Sequence, residues 1–184
     1  MSHLPSLPDA TLLDVFATDP ALFERLHVFA EAVMRGPASP FPPGERERMA
    51  AVVSRLNGCA FCEASHGAAA ARFGADPAAI DALAADPSTA PVPQEMVPVY
   101  RYLRTLALEP GAVSAAQVGA ILDAGWPEAA VTSANLVCGL FSMMNRLVEG
   151  LGIGSDPATV EMAGRQLHER GYAGIGELLT ARAG

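Results

Sequence analysis

The sequence predicts an all-α fold of about eight or nine helices. Of the 184 residues, 35 are alanine, and aromatic residues make up only 6%. This composition is typical of short helices that pack closely on small side chains. The chain also carries 17 Gly and 15 Pro, which divide it into segments of helical length. The apolar–polar alternation that predicts half-buried strands is missing.

The first half of the chain divides into five helical segments. Asp19 is placed to cap a helix that begins at Pro20, and Asn57-Gly58 is a typical helix end. The expected bounds are 8–17, 20–35, 44–57, 59–73 and 77–85. In the second segment the residues at helical spacing that are expected to face inward are Leu22, Leu26, Phe29, Ala30 and Val33.

The second half begins with a proline-rich link over 86–98. Further helices are expected over 95–108, 114–123, 128–149 and 157–170, followed by a glycine-rich tail. No charged residue lies between Glu128 and Arg146, which predicts that 128–149 is a central buried helix. Length and composition predict one domain over 1–184, with a core of about 10–155 and a helical extension over 156–184.

Charge and hydropathy exclude several functions. The net charge is −8 and the pI is near 4.9, a poor match for a phosphate backbone, so we expect no nucleic-acid partner. The uncharged run before Arg146 is shorter and more polar than the about 20 apolar residues that span a bilayer, and no basic region opens the chain. We therefore expect no membrane partner. Three cysteines, two of them in a C-x-x-C, favour a reducing cytoplasm.

The chemistry-bearing stretch is the block that contains Cys59, Cys62 and His66. Spacings of three and four residues place all three on one face of a helix, and the preceding Asn57-Gly58 places the thiols at its start. Free N–H groups there favour a thiolate, and His66 can exchange a proton with Cys62. The block predicts a nucleophile, a second thiol and a base. An isolated C-x-x-C can also be two buried small residues, or part of a metal site.

The remaining candidates have simpler interpretations. Glu47 lies in the first turn of its helix, where the helix dipole alone can explain a glutamate, although a catalytic role stays open. Cys138, which lies among apolar residues, is expected to be an inert core thiol. His27 and His168 lie on predicted helices away from the cysteine pair, so structural roles are expected for both.

The sequence resembles the alkylhydroperoxidase D-like (AhpD-like) branch of the carboxymuconolactone decarboxylase superfamily. The resemblance rests on the pattern Glu-x11-Cys-x-x-Cys-x-x-x-His over 47–66, and on Leu140–Gly152, which is similar to a segment of the peroxidase-related proteins of that branch. It covers roughly 10–155. It implies an all-helical fold that assembles as homo-oligomers, trimers or hexamers, with a dimer as a further possibility.

The resemblance also implies a dithiol peroxidase. Nothing in the sequence suggests haem or flavin, so we expect no cofactor and no metal. In the family pattern the second cysteine, here Cys62, is oxidised to sulfenic acid, and Cys59 donates a proton and resolves it as a disulfide. Glu47 and His66 form the proton relay. The substrate is a hydroperoxide, and the reductant is a dithiol, lipoyl- or thioredoxin-like. Phe61 stands where well-studied members have a histidine, so one relay member is missing.

Three functions therefore remain in competition at this point. The first is a thiol-dependent peroxidase. The second is a zinc site formed by Cys59, Cys62, His66 and Glu47. The third is a non-catalytic helical oligomer whose thiols only sense oxidants. Family members that act as decarboxylases lack the cysteine pair, so lactone decarboxylation is disfavoured.

Overall fold

The computed structural model describes residues 2–154 and 156–183. These residues form ten α-helices and no strand, which confirms the all-α prediction. In chain order the helices are α1 Leu12–Phe16, α2 Pro20–Arg35, α3 Pro43–Leu56, α4 Ala60–Arg72, α5 Ala79–Ala85, α6 Val97–Leu108, α7 Ala115–Asp123, α8 Glu128–Gly150, α9 Pro157–Arg170 and α10 Ala173–Ala183. Within the described ranges no helix is long and apolar enough to cross a membrane.

The helix ends near the thiols follow the sequence signals. The Asp19 side chain accepts a hydrogen bond of 3.0 Å from the Leu22 backbone N–H and so caps α2. Asn57 ends α3. Gly58 follows it with a φ of 75°, a backbone conformation that residues with a side chain disfavour. The chain can therefore turn sharply from α3 into α4, and Cys59 becomes the N-cap residue of α4.

The centre of the molecule is α3 rather than α8. Ten of its residues are buried, including every residue from Met49 to Val53. It packs against α4, α5, α6 and α8. The prediction that 128–149 is a central buried helix was wrong in one respect, because α8 buries only one face. Leu136 and Met143 are 42% and 47% exposed. The sequence of α8 lacks charge because its solvent-exposed face, as well as its buried face, is uncharged.

The inward face of α2 differs from the prediction at two of the five expected residues. Leu22 and Phe29 are 56% and 46% exposed. The buried residues of this helix are Phe23, His27, Ala30, Val33 and Met34. Ala30 and Val33 are buried and Leu26 is partly buried, as expected, and α10 packs against α2. His27 lies on the buried face of this helix.

The predicted glycine-rich tail is instead helix α10. Gly171 ends α9 with a φ of 60°, and the chain reverses there. The Glu31 carboxylate then accepts hydrogen bonds from the backbone N–H groups of Tyr172, at 2.7 Å, and Ala173, at 3.2 Å. A negative charge at this position stabilises a helix start. Glycine at 171 and 174 permits the close packing, since a Cβ at Gly174 would lie 2.7 Å from the Cβ of Arg170.

Candidate active site

The turn between α3 and α4 brings the two cysteines together. The Cys59 backbone N–H donates to the Ser54 carbonyl at 2.9 Å. Asn145 of α8 braces this turn: its side-chain oxygen accepts from Asn57 at 2.9 Å, and its side-chain nitrogen donates to the Ser54 hydroxyl at 2.9 Å. Cys59 and Cys62 are both buried free thiols, 0% and 4% exposed. The backbone thus holds both sulfurs in a defined place before any oxidation.

The pKa values of the two thiols are shifted in opposite directions. The pKa of Cys59 is lowered, chiefly because the Cys62 thiol serves as a hydrogen-bond donor to it, with a smaller contribution from the Cys62 backbone N–H. The pKa of Cys62 is raised, because its proton is engaged with Cys59 and because it is buried. Asn145 acts in the opposite direction and favours a thiolate at Cys62. In the resting dithiol the negative charge is therefore favoured on Cys59.

Glu47 and His66 form a buried pair. The carboxylate of Glu47 is completely buried and its Oε2 lies 2.7 Å from His66 Nδ1. Burial raises the pKa of Glu47, but the hydrogen bond and charge of His66, together with Arg35, outweigh burial and hold the pKa below its ordinary value. Because Glu47 is ionised, His66 Nδ1 carries the proton and donates it. This leaves Nε2 as the basic nitrogen of the ring.

Two further residues complete the cluster around Glu47. Arg35 donates from Nη2 to Glu47 Oε1 at 2.6 Å, and so balances the buried charge. Tyr172 places its hydroxyl 3.3 and 3.4 Å from the two carboxylate oxygens, and its ring stacks on His66 with the ring centres 6.3 Å apart. Burial and the Glu47 charge raise the pKa of Tyr172 well above its ordinary value. The hydroxyl therefore stays protonated.

Sequence reasoning missed both of these residues. Arg35 looks like an ordinary basic residue in the last turn of α2, and Tyr172 lies in the segment that was predicted to be a tail. Their positions depend on contacts that are distant in sequence, 12 and 125 residues from Glu47. No periodicity marks such contacts. The charge of a buried carboxylate must be balanced by a nearby cation, so a buried Glu47 would predict a basic partner such as Arg35.

Cys62 and His66 both line a cavity of about 550 Å³. Its wall is largely aliphatic and aromatic, and it is formed by α1, α2, α4, α8, α9 and α10. Phe61 lies in the wall beside Cys62, where well-studied members of the resembled branch carry a histidine. Cys59 is not part of the wall. A small molecule in the cavity would therefore meet Cys62 and the His66 ring, one helical turn apart.

The remaining predicted residues stand away from this site. Cys138 is 3% exposed, and its sulfur lies 3.9 Å from the Ser142 hydroxyl. Burial raises the pKa of the Cys138 thiol, which fits the expected inert core role. His168 packs edge-on against Phe73, with ring centres 4.5 Å apart. His27 is buried in the cavity wall.

The four ligands of the zinc hypothesis do not converge. Glu47 and His66 bind each other through Oε2 and Nδ1, and Arg35 holds the other carboxylate oxygen. Among the residues that the structure describes, no group of three or more His, Cys, Asp or Glu side chains is arranged to hold a metal ion. The thiol pair and the Glu–His pair are two separate units.

Fold and site together define an all-helical protein with a paired-thiol centre beside an apolar cavity. The fold is similar to that of an uncharacterized peroxidase-related protein from Silicibacter sp. TM1040, with a TM-score of 0.73 and 21% identity over 81% of this chain and 78% of that one. It is also similar to an uncharacterized peroxidase-related protein from Ralstonia eutropha JMP134, described as an alkylhydroperoxidase AhpD core, with a TM-score of 0.72 and 20% identity over 82% and 78% of the two chains. No curated protein matches the sequence.

A family model matches part of the sequence. Residues 20–96 match the model of the carboxymuconolactone decarboxylase family, and this range contains Glu47, Cys59, Cys62 and His66. Over these residues the chain is similar to that family, and the two structural neighbours share its all-helical fold, as the resemblance implied.

Proposed function

We propose that the protein is a thiol-dependent peroxidase that reduces hydroperoxides with Cys62 and Cys59. The observation that carries the proposal is the 2.7 Å contact of Glu47 with His66, whose ring lines the same cavity as Cys62. An ionised carboxylate behind the ring orients it and leaves the other ring nitrogen free to take up a proton. Such a pair serves a neighbouring group that must lose and regain a proton.

In the first step His66 Nε2 accepts the proton of the Cys62 thiol. The thiolate attacks the distal oxygen of the hydroperoxide, the O–O bond breaks, and Cys62 becomes a sulfenic acid. The leaving alkoxide takes the proton from the His66 imidazolium and departs as an alcohol. Glu47 stabilises the imidazolium between these two transfers, and Arg35 keeps Glu47 ionised.

In the second step Cys59 attacks the Cys62 sulfur. Cys59 gives up its proton, the disulfide forms, and the sulfenic oxygen leaves as hydroxide, which takes up that proton and becomes water. The position of Cys59 at the start of α4 favours the thiolate that this attack requires. An external dithiol, lipoyl- or thioredoxin-like, then reduces the disulfide by exchange and becomes oxidised. One hydroperoxide and one dithiol are consumed in each cycle.

The assignment of Cys62 as nucleophile rests on access rather than acidity. Cys59 has the lower pKa, as its position at the start of α4 predicts. Only Cys62 of the two lines the cavity, however, and it is the thiol one turn from His66. A substrate that enters by the cavity reaches Cys62 first, and the base beside it offsets the unfavourable acidity.

The test is a screen of hydrogen peroxide, tert-butyl hydroperoxide and cumene hydroperoxide against dihydrolipoamide and thioredoxin, following peroxide loss. We expect many turnovers with at least one pair, and peptide mapping should find the 59–62 disulfide. Consumption of a single equivalent with every reductant would instead indicate an oxidant sensor. Stoichiometric zinc in freshly purified protein, before any chelator, would favour the metal site.

The same proposal includes assembly as a homo-oligomer in the cytoplasm. The uncharged exposed stripe of α8, which contains Leu136 and Met143, supports a contact between copies. Light scattering at micromolar concentration tests the assembly. A monomer would contradict it without affecting the thiol chemistry.

A further inference from the structure

The cavity beside Cys62 holds unpaired polar groups in an otherwise apolar wall. Four residues have buried side-chain polar atoms without a hydrogen-bond partner among the described residues, and three of them, His27, Ser65 and Gln166, line this cavity. Buried polar groups in folded proteins are almost always paired. Their concentration in one cavity indicates groups that are reserved for something other than the protein itself.

His27 is the most marked of the three. It is 4% exposed, and neither ring nitrogen has a partner in the described part of the chain. Phe16 packs edge-on against the ring, with ring centres 4.8 Å apart, and so fixes its plane. Burial lowers the pKa of His27, so the ring is neutral, with one nitrogen that donates and one that accepts.

Ser65 lies on α4, between the two catalytic candidates Cys62 and His66, and is also 4% exposed. His27 lies on α2. The two side chains therefore reach the cavity from different helices. A ligand that touches both has one polar end near Cys62 and a second polar group near His27.

The charge of the wall restricts the ligand further. No Asp, Glu, Lys or Arg among the described residues lines the cavity. The nearby cation of Arg35 is already committed to Glu47. A carboxylate ligand would lose its hydration in the cavity without gaining a counter-charge. The free-energy cost of removing an uncharged, hydrogen-bonded hydroxyl or carbonyl from water is much smaller. The volume of about 550 Å³ is far larger than the about 30 Å³ that a water-sized molecule occupies.

We propose that the cavity binds an uncharged amphipathic organic molecule, whose apolar body packs on the wall and whose hydroxyl or carbonyl group hydrogen-bonds to His27. The proposal rests on the proposed function only where it takes the natural ligand to be the substrate. In that case the substrate is an organic hydroperoxide with a second, uncharged polar group remote from the peroxide. His27 then determines specificity and takes no part in the proton transfers.

The test measures binding to the reduced protein with three probes of similar size. Benzylacetone carries a ketone, butylbenzene carries no polar group, and phenylbutyrate carries a carboxylate. We expect benzylacetone to bind most tightly. His27→Phe should weaken benzylacetone about tenfold, the equivalent of one hydrogen bond, and leave butylbenzene within about twofold. His168→Phe is the matched control, because it makes the same change outside the cavity, and it should alter neither affinity.

Equal binding of the three probes, no binding of any, or an unchanged benzylacetone affinity in His27→Phe would each overturn the proposal and assign the His27 nitrogens to water. If His27→Phe does not fold, nitrogen NMR of the wild-type histidine rings decides. Benzylacetone should shift a His27 resonance while butylbenzene does not, and equal spectra would overturn the proposal. Binding needs no turnover, so a failed peroxide screen leaves this result intact.

Discussion

Glu47 and His27 are buried titratable side chains on helices that pack against each other, and the protein treats them in opposite ways. Glu47 is surrounded by Arg35, His66 and Tyr172, so its charge is retained. His27 has no hydrogen-bond partner among the described residues, and burial lowers its pKa. The region behind His66 is thus a closed ionic cluster, whereas the region in front of it is neutral and open to a ligand. Burial alone does not decide what a polar residue does; its partners do.

The largest effect on activity is expected when Cys62, the thiol that lines the cavity, is removed. Cys62→Ser should abolish peroxide turnover and sulfenic acid trapping together, because the remaining Cys59 does not line the cavity. Cys59→Ser should leave one trappable sulfenic acid at Cys62 but stop turnover, since no resolving thiol remains. Cys138→Ser is the control and should retain activity. Trapping at Cys59 in Cys62→Ser, at the wild-type rate, would reverse the two roles.

The next largest effect is expected on the free energy of unfolding, when the ionic cluster around Glu47 is disrupted. Glu47→Leu leaves the Arg35 cation largely buried without its carboxylate, and removing one partner of a buried pair costs about 3–5 kcal/mol. Urea unfolding with circular dichroism at pH 7 gives the difference in free energy. Glu63→Leu is a suitable control, because its ion pair with the half-exposed Arg55 contributes only about 0–1 kcal/mol.

Acid should weaken the same cluster in the wild-type protein. The pKa of Glu47 is lower in the folded state than its ordinary value of 4.5. As the pH falls below about 4.5, the unfolded chain therefore binds a proton at this residue first, and its contribution to stability is lost progressively. Glu47→Gln should show a flatter dependence of the unfolding free energy on pH over this range. Parallel curves for the two proteins would contradict an ionised Glu47.

Kinetics should distinguish the relay from a purely structural cluster. Glu47→Gln and His66→Ala should each slow oxidation of Cys62 by roughly 10²-fold, the lower end of what general acid–base help contributes. Stopped-flow measurement of sulfenic acid formation under single turnover isolates this step. Folded variants that react at the wild-type rate would reduce Glu47 to a helix-start charge and His66 to a packed ring.

Tyr172→Phe should have the smallest effect of the series. Its hydroxyl makes only long contacts with Glu47, at 3.3 and 3.4 Å, so its removal should slow oxidation by about tenfold or less. The stacking of the ring on His66 is kept in this variant. Tyr172→Ala removes the ring as well, and a larger loss there would assign the effect to packing.

Local signals predicted the chemistry of α3 and α4 but not its surroundings. Asp19, Pro20 and Asn57-Gly58 mark helix ends through contacts within a few residues, so those bounds could be read directly. The spacing of Cys59, Cys62 and His66 needs only the pitch of one helix. Arg35, Tyr172 and the cavity face of His27 depend on how α2, α9 and α10 meet. Contacts between distant segments produce no periodic pattern in the sequence.

The long sequence separation of Tyr172 from His66, 106 residues, also sets an order of events during synthesis. Ribosomes add about 5–20 residues each second, so the thiols, Glu47 and His66 emerge roughly 5–20 s before the tyrosine. The nascent chain at that stage lacks the part of the cavity wall that α9 and α10 supply. Cys59 and Cys62 are therefore less covered in the nascent chain than in the finished protein, where Ile175 and Leu179 pack in the same apolar cluster as the two thiols.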